Sequence, residues 1–76
     1  MEQMKMHMLR VGEGGIMDRA ILSDAMQIRL RDIGLIPGTP VVCVGRSPLG
    51  DPAAYRIRGA VFAMRKTDCA RIILRR

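Results

Sequence analysis

The chain has 76 residues, of which 49% are apolar and 26% charged, a balance typical of one small globular domain rather than a disordered or fibrous chain. No apolar run approaches the roughly 18 residues that cross a bilayer, and "MEQMKMHML" lacks a secretory signal, so we expect a cytoplasmic protein that is not embedded in the membrane. The formal net charge of +6 comes mostly from arginine and suits an anionic partner. The only aromatic residues are Tyr55 and Phe62, which are too few for a surface that stacks nucleic-acid bases.

The N-terminal segment, residues 1–7, shows no clear periodicity and predicts a flexible arm. The domain itself is therefore expected to span residues 8–76. It begins with "LRVGEGGIMDRAIL", in which a glycine turn leads into an apolar strand.

A helix is predicted to begin at Asp24, with Ser23 as its N-cap. Its apolar residues recur at helical spacing and predict a buried stripe, which consists of Met26, Leu30 and Ile33. Ile28 falls on the polar side of the same helix.

The stretch "RDIGLIPGTPV" predicts where this helix ends and how the chain turns. Gly34 can adopt the left-handed conformation that closes a helix, and Leu35 can then fold back onto the core. Pro37-Gly38 suits a type II turn, because proline fixes the first central residue and glycine accepts the positive φ of the second.

The second half of the chain predicts several short strands. "TPVVCVGRS" is rich in β-branched residues, and "AYRIR" alternates so that Tyr55 and Ile57 face one side while its arginines face the other. Gly59 then leads into "AVFAMR" as a hairpin, and Thr67 is expected to cap a single helical turn before "RIILRR". The predicted fold is mainly β, a small curled antiparallel barrel with one short helix inserted between strands.

Catalytic groups are scarce in this sequence. His7 is the only histidine, so no Ser/His/Asp or Cys/His set is available, and "GEGG" matches neither the Walker pattern nor GxGxxG. We therefore predict no enzymatic activity, no cofactor and no small-molecule substrate.

Two other classes of function stay open. Cys43 and Cys69 lie far apart and predict reduced, buried thiols, yet with His7 they could belong to a transition-metal sensor completed across a dimer. The excess of basic over acidic residues also suits a nucleic-acid-binding barrel, although the basic residues are scattered along the chain. We predict no metal site and no nucleic-acid partner.

Three stretches, "RLRDIGLIPGTPV", "RSPLGDPAAYRIRG" and "FAMRKTDCARI", closely resemble the FeoA family of bacterial ferrous-iron-transport accessory proteins. The similarity runs from about Leu9 to Leu74, and its motif is specific only in combination. The matching pieces are Arg29-Leu30, Gly34-Leu35, Pro37-Gly38, Pro48-Leu49-Gly50-Asp51-Pro52 and Arg58-Gly59. Ala60 and Val61 depart from the family, which often carries a larger and a polar residue there.

This resemblance implies an SH3-like β-barrel with an inserted helix that regulates ferrous iron uptake by binding FeoB, a membrane transporter with a GTPase domain. The protein would then work in the cytoplasm and reach the inner face of the membrane through its partner. Related barrels occur in metal-dependent repressors, but no DNA-binding helix pair precedes this one. Open barrel edges also leave weak self-association by strand pairing as an alternative.

The partner surface is predicted on the loop "SPLGDP" and nearby arginines. Two prolines limit the loop's freedom, and Leu49 has no alternating strand partner that would bury it. The opposite reading is that Leu49 folds onto the barrel and that Asp51 caps the turn. The predicted partner-binding residues are Arg46, Pro48, Leu49, Gly50, Asp51, Arg56 and Arg58.

Overall fold

The computed structural model describes residues 2–76, which form six strands, two α-helices and one 3-10 turn. In chain order these are β1 (Gln3–Lys5), the 3-10 turn (Met6–Met8), β2 (Gly14–Ala20), α1 (Asp24–Asp32), β3 (Pro40–Arg46), β4 (Ala53–Ile57), β5 (Ala60–Met64), α2 (Lys66–Cys69) and β6 (Ile72–Arg75). The mainly β architecture with a helix inserted between strands confirms the predicted fold class.

All strands belong to one antiparallel sheet with the order β1-β6-β2-β3-β4-β5. β2 pairs with β3 near its start and with β6 near its end, and its register shifts between Met17 and Arg19. A bulge of this kind bends a strand and increases its twist. The sheet therefore curls around a small core without closing, and β1 and β5 are its two edges.

The core lies on the concave face of the curled sheet. Alternation in β4 places Tyr55 and Ile57 inside and Arg56 outside, as predicted. From α1, Leu30 is fully buried and Ile33 packs at the margin of the core, whereas Met26 is only half-buried. Both cysteines are reduced and buried in this core, which confirms that prediction.

The two ends of α1 confirm the predicted caps. The Ser23 hydroxyl accepts a hydrogen bond from the Met26 backbone N–H at 3.3 Å. At the other end Gly34 has a φ of +86°, its N–H donates to the Arg31 carbonyl, and the Leu35 N–H donates to the Leu30 carbonyl at 2.8 Å. These two bonds form a Schellman motif, which satisfies the last carbonyls of the helix.

The turn after α1 also has the predicted form. Gly38 has a φ of +94°, and the Thr39 N–H donates to the Ile36 carbonyl at 3.0 Å across Pro37 and Gly38. Thr39 Oγ1 donates in turn to the Gly34 carbonyl at 3.0 Å, so the helix end and the turn stabilise one another.

The prediction of a flexible arm over residues 1–7 is corrected by the structure. Gln3–Lys5 is a strand paired with β6, and the Met6 side chain is 0% exposed. Three residues are too few to show a period, and the strand exists only because β6, at the far end of the chain, supplies its hydrogen-bonding partner. Residue 1 lies outside the described residues.

Within residues 2–76, no helix is both long enough and apolar enough to span a bilayer.

Candidate protein-interaction site

The loop over residues 47–52 is closed on itself by backbone hydrogen bonds. The Gly50 N–H donates to the Ser47 carbonyl at 2.8 Å, and the Ser47 N–H donates to the Pro52 carbonyl at 3.1 Å. Pro48 occupies the second position of the resulting turn, where its fixed φ is favoured. The loop is therefore ordered by its own bonds.

Leu49 occupies the third position of this turn and is 94% exposed. The alternative reading, in which Leu49 folds onto the barrel, is thus wrong. The closed turn holds its backbone at the loop apex, and the side chain is not packed against the hydrophobic core. Almost the whole apolar side chain is therefore available for contact with a partner.

Arg46, at the end of β3, ties the loop to the N-terminal segment. Its guanidinium donates to the backbone carbonyls of Leu9 at 2.5 Å, His7 at 3.0 Å and Gly50 at 3.4 Å. Arginine suits this position because its planar head carries several donors in a fixed arrangement. Arg46 was predicted as a steering charge, and it also fixes the position of the loop.

Asp51 connects the same loop to α2. Its carboxylate Oδ1 accepts a hydrogen bond from the Lys66 backbone N–H at 2.9 Å, in the first turn of the helix. The residue at the N-cap, Arg65, makes no side-chain cap, and Thr67, expected as the cap from the sequence, is already inside the helix. A residue from a distant loop therefore caps α2, because the open N–H groups of a helix start need an acceptor from any source.

We expect Asp51→Ala to lower the free energy of unfolding by about 0.5–2 kcal/mol, the usual cost of losing a helix cap. Thermal unfolding followed by circular dichroism measures this effect. Asp51→Asn is the matched control, because its side-chain oxygen can still accept the Lys66 N–H bond. An Asp51→Ala protein with the same melting temperature as the unchanged protein would show that α2 does not depend on this cap.

A shallow depression of about 400 Å³ lies beside the loop. Two exposed apolar side chains, Leu49 and Met8, border it together with the cationic groups of Arg46 and Lys66. The full lining consists of His7, Met8, Arg46, Leu49, Gly50, Asp51 and Lys66. It combines apolar contact area with positive charge, and its one carboxylate is already engaged by a backbone N–H.

His7 forms one wall of this depression. Burial, and then the charges of Lys66, Lys5 and Arg46, lower the pKa of His7 below its ordinary value of 6.5, so the imidazole is neutral at physiological pH. Its Nδ1 atom is buried and makes no hydrogen bond within residues 2–76. The positive charge here therefore comes from Lys66 and Arg46.

The structure divides the predicted partner-binding residues into two groups. Arg46, Pro48, Leu49, Gly50 and Asp51 lie together at the start of β4. Arg56 projects from the outer face of that strand, and Arg58 lies beyond its far end, in the β4–β5 turn. Arg58 has a φ of +52°, and its side chain covers Gly34, so it contributes to the fold at that end.

Sequence reasoning did not assign His7, Met8 or Lys66 to this site. His7 and Met8 are 38 or more residues away from Arg46 and Leu49 in the chain, and no local pattern links them. The only sequence signal was the concentration of methionine around His7, which by itself also suits a core or a loose segment.

The candidate metal ligands are not brought together. Among residues 2–76, no three His, Cys, Asp or Glu side chains converge closely enough to hold an ion. Cys43 and Cys69 are both 0% exposed, and burial raises the pKa of the Cys69 thiol to about 11. A thiol in this state is protonated at neutral pH and is a poor metal ligand.

The fold and the site together define a small SH3-like β-domain that carries a rigid, exposed loop. The model of the FeoA domain matches residues 4–76, and the chain therefore belongs to the FeoA domain family. This family implies involvement in ferrous iron transport. No curated protein sequence matches the chain.

Solved structures of similar shape support the family assignment. The FeoA protein from Chlorobium tepidum is 28% identical, with a TM-score of 0.87 over 93% of this chain and 69% of its own. FeoA of Stenotrophomonas maltophilia complexed with zinc, described as a unique prokaryotic SH3 domain protein and candidate ferrous iron transport activating factor, is 24% identical, with a TM-score of 0.77 over 96% of this chain and 98% of its own.

A manganese-dependent transcriptional repressor shares the fold alone. It is 16% identical, with a TM-score of 0.79 over 95% of this chain and 40% of the repressor. The same small β-domain therefore also occurs within a larger protein of another class, in line with the rule that a fold does not specify a function.

Proposed function

We propose that this protein is a cytoplasmic accessory and regulatory protein of ferrous iron uptake, which acts by binding a FeoB-like membrane transporter. The observation that carries the proposal is Leu49, 94% exposed at the apex of a loop held by its own hydrogen bonds, in a chain of the FeoA domain family. The protein reaches the inner face of the membrane through this partner.

The geometry of the loop favours binding to a protein surface. Because residues 47–52 are held by the Ser47 bonds and by Arg46, they lose little conformational entropy when a partner binds. Leu49 and Met8 can enter an apolar pocket of that partner, while Arg46 and Lys66 favour acidic residues at its rim. The net charge of +6 adds long-range attraction to such a surface.

Two experiments test this function. Pull-down of the detergent-solubilised transporter from the same genome with the purified protein is expected to show a stable complex, and deletion of this protein is expected to reduce ferrous iron uptake. The reading frame next to this one is expected to encode a membrane GTPase. Absence of the complex together with unchanged uptake would refute the proposal.

Leu49→Ala is expected to weaken transporter binding by about tenfold or more, which corresponds to about 1.4 kcal/mol or more. The free energy of unfolding should change by no more than about 0.5 kcal/mol, because the side chain makes no contact with the core. Binding is measured by surface plasmon resonance and stability by thermal unfolding.

The matched control is Ile28→Ala. Ile28 is also a large exposed apolar residue, but it lies alone on α1 and does not border the depression. Its replacement should leave transporter affinity unchanged. If both variants bound as tightly as the unchanged protein, Leu49 would have no part in the interface.

A further inference from the structure

The edge strand β5 has backbone groups that nothing in the domain uses. β4 and β5 are joined by a two-residue turn, Arg58-Gly59, in which both residues have positive φ. In such a hairpin the flanking pair, Ile57 and Ala60, exchanges hydrogen bonds, and bonding then alternates along the strands. The backbone N–H and C=O groups of Val61 and Ala63 therefore point away from β4.

These outward groups have no partner in the described part of the chain, residues 2–76. Neither the side-chain hydrogen bonds nor the backbone bonds outside the sheet involve Val61 or Ala63. Unpaired donors and acceptors at regular spacing along a strand are a template for one more strand.

The two edges of the sheet are protected very differently. β1 is three residues long and carries Lys5, features that disfavour pairing with another chain. β5 is five residues long, "AVFAM", with no charge and no proline, and its pairing with β4 shows no register shift. Val61, at its exposed side, is 54% accessible. β5 is therefore the open edge of this domain.

A groove of about 220 Å³, with apolar side chains on both walls, runs between β5 and α1. Met26, Leu30 and Ile33 line its helix side, and Phe62 and Met64 line its strand side. Met26 was predicted as a core residue, yet it belongs to this groove and not to the buried cluster. Ala63 also borders the groove, so the free edge of the strand and the apolar surface are adjacent.

The charges around the groove are mostly positive. Arg29 and Arg65 border it, and neither forms an ion pair with any residue of 2–76. Arg56 lies directly across the ladder from Val61. Asp68 is the one carboxylate in the lining. A second copy of this chain would bring the same arginines to the contact, and these like charges would repel one another. The charges therefore favour a different partner, one with acidic residues.

We propose that the open edge of β5 and the adjoining groove bind an extended peptide segment of a partner protein by strand addition, and that this segment alternates apolar with acidic residues. The main-chain groups of Val61 and Ala63 would pair with the peptide backbone, and the apolar side chains would enter the groove. Because side chains alternate between the two faces of a strand, the carboxylates would face the outer side of the sheet, where Arg56 and, by alternation along β5, Arg65 lie. This surface is separate from Leu49, and the proposal does not depend on which transporter the protein serves.

The probe is the synthetic peptide acetyl-Glu-Val-Glu-Val-Glu-Val-amide, with a Lys-for-Glu version as its charge control. Backbone amide exchange, followed by NMR on the whole chain, is expected to slow by roughly tenfold or more at Val61 and Ala63 when the acidic peptide is present at saturation. The basic peptide should leave both amides unchanged. Unchanged exchange at millimolar acidic peptide would overturn the proposal, as would dimerisation through β5 without peptide.

Val61→Pro removes one outward N–H without taking a bond from the β4 ladder, and proline is accepted at such edge positions. It should weaken acidic-peptide binding by about tenfold or more, whereas Val61→Thr, which keeps the N–H and the branched shape, should not. Arg65→Glu, a surface change that leaves the backbone intact, should also weaken binding of the acidic peptide. If Val61→Pro and Arg65→Glu both bound the acidic peptide as tightly as the unchanged protein does, strand addition at this edge would be contradicted.

Discussion

Met6→Ala is expected to lower the free energy of unfolding by about 2–5 kcal/mol, the range found for large-to-small changes in protein cores. Met6 is 0% exposed, and the 3-10 turn that carries it packs against α2 and β6. A domain of this size has little stability to spare, so a loss at the upper end of this range would leave much of the protein unfolded at 37 °C.

Met8→Ala is the matched control for this prediction. Met8 lies in the same 3-10 turn but is 61% exposed, so its replacement should change stability by no more than about 0.5 kcal/mol. Urea unfolding followed by circular dichroism separates the two variants. The free energy of unfolding should fall with urea concentration at the same slope in both, but the urea concentration at the midpoint should differ. Equal midpoints would mean that the N-terminal segment contributes nothing to the core, as first expected from its sequence.

Gly34→Val should have the second largest effect, a loss of about 2 kcal/mol or more. A left-handed backbone costs a residue with a Cβ atom about 1–2 kcal/mol, and a β-branched residue suffers most. Gly34 has a φ of +86°, and any Cβ added there would meet the Cδ atom of Arg58. At about 4–8 °C per kcal/mol, the melting temperature should fall by roughly 8–16 °C.

Gly38 separates the two causes of this loss. Its φ of +94° is similar, but a Cβ added there meets no other atom within 4 Å. Gly38→Val therefore reports the backbone strain alone, and Gly34→Val should destabilise more. In an Arg58→Ala background the difference between the two variants should shrink. If Gly34→Val were no less stable than Gly38→Val, the contact between the new side chain at residue 34 and Arg58 would contribute nothing to the loss of stability.

The features that the sequence predicted well depend on short-range physics. Ser23, Gly34 and Gly38 act within four or five residues of themselves, through a cap, a left-handed residue and a tight turn. The alternation around Tyr55 likewise follows from the two-residue period of a strand. These signals were sufficient for α1, for the turn after it and for the buried face of β4.

The candidate interaction surface could be predicted only in part. The stretch "SPLGDP" indicated a restricted loop, because proline and glycine constrain the backbone wherever they occur. Whether Leu49 packs onto the barrel or projects from it depends on where the sheet places the loop, and that was open. The arginines around the loop were grouped by chain proximity, and the structure places Arg58 at the other end of β4.

The sequence by itself determined the mainly β class, the capped helix and the left-handed glycines, since each follows from residues a few positions apart. The reduced state of Cys43 and Cys69 was predicted from their wide separation in the chain. The tertiary structure alone decided that residues 3–5 form a strand on β6, that Asp51 caps α2 and that Arg46 holds the carbonyls of His7 and Leu9. These contacts join residues 15 to 72 positions apart. Such distant groups meet only after the sheet has curled, because hydrogen-bond donors and acceptors take whichever partner the completed fold brings within reach.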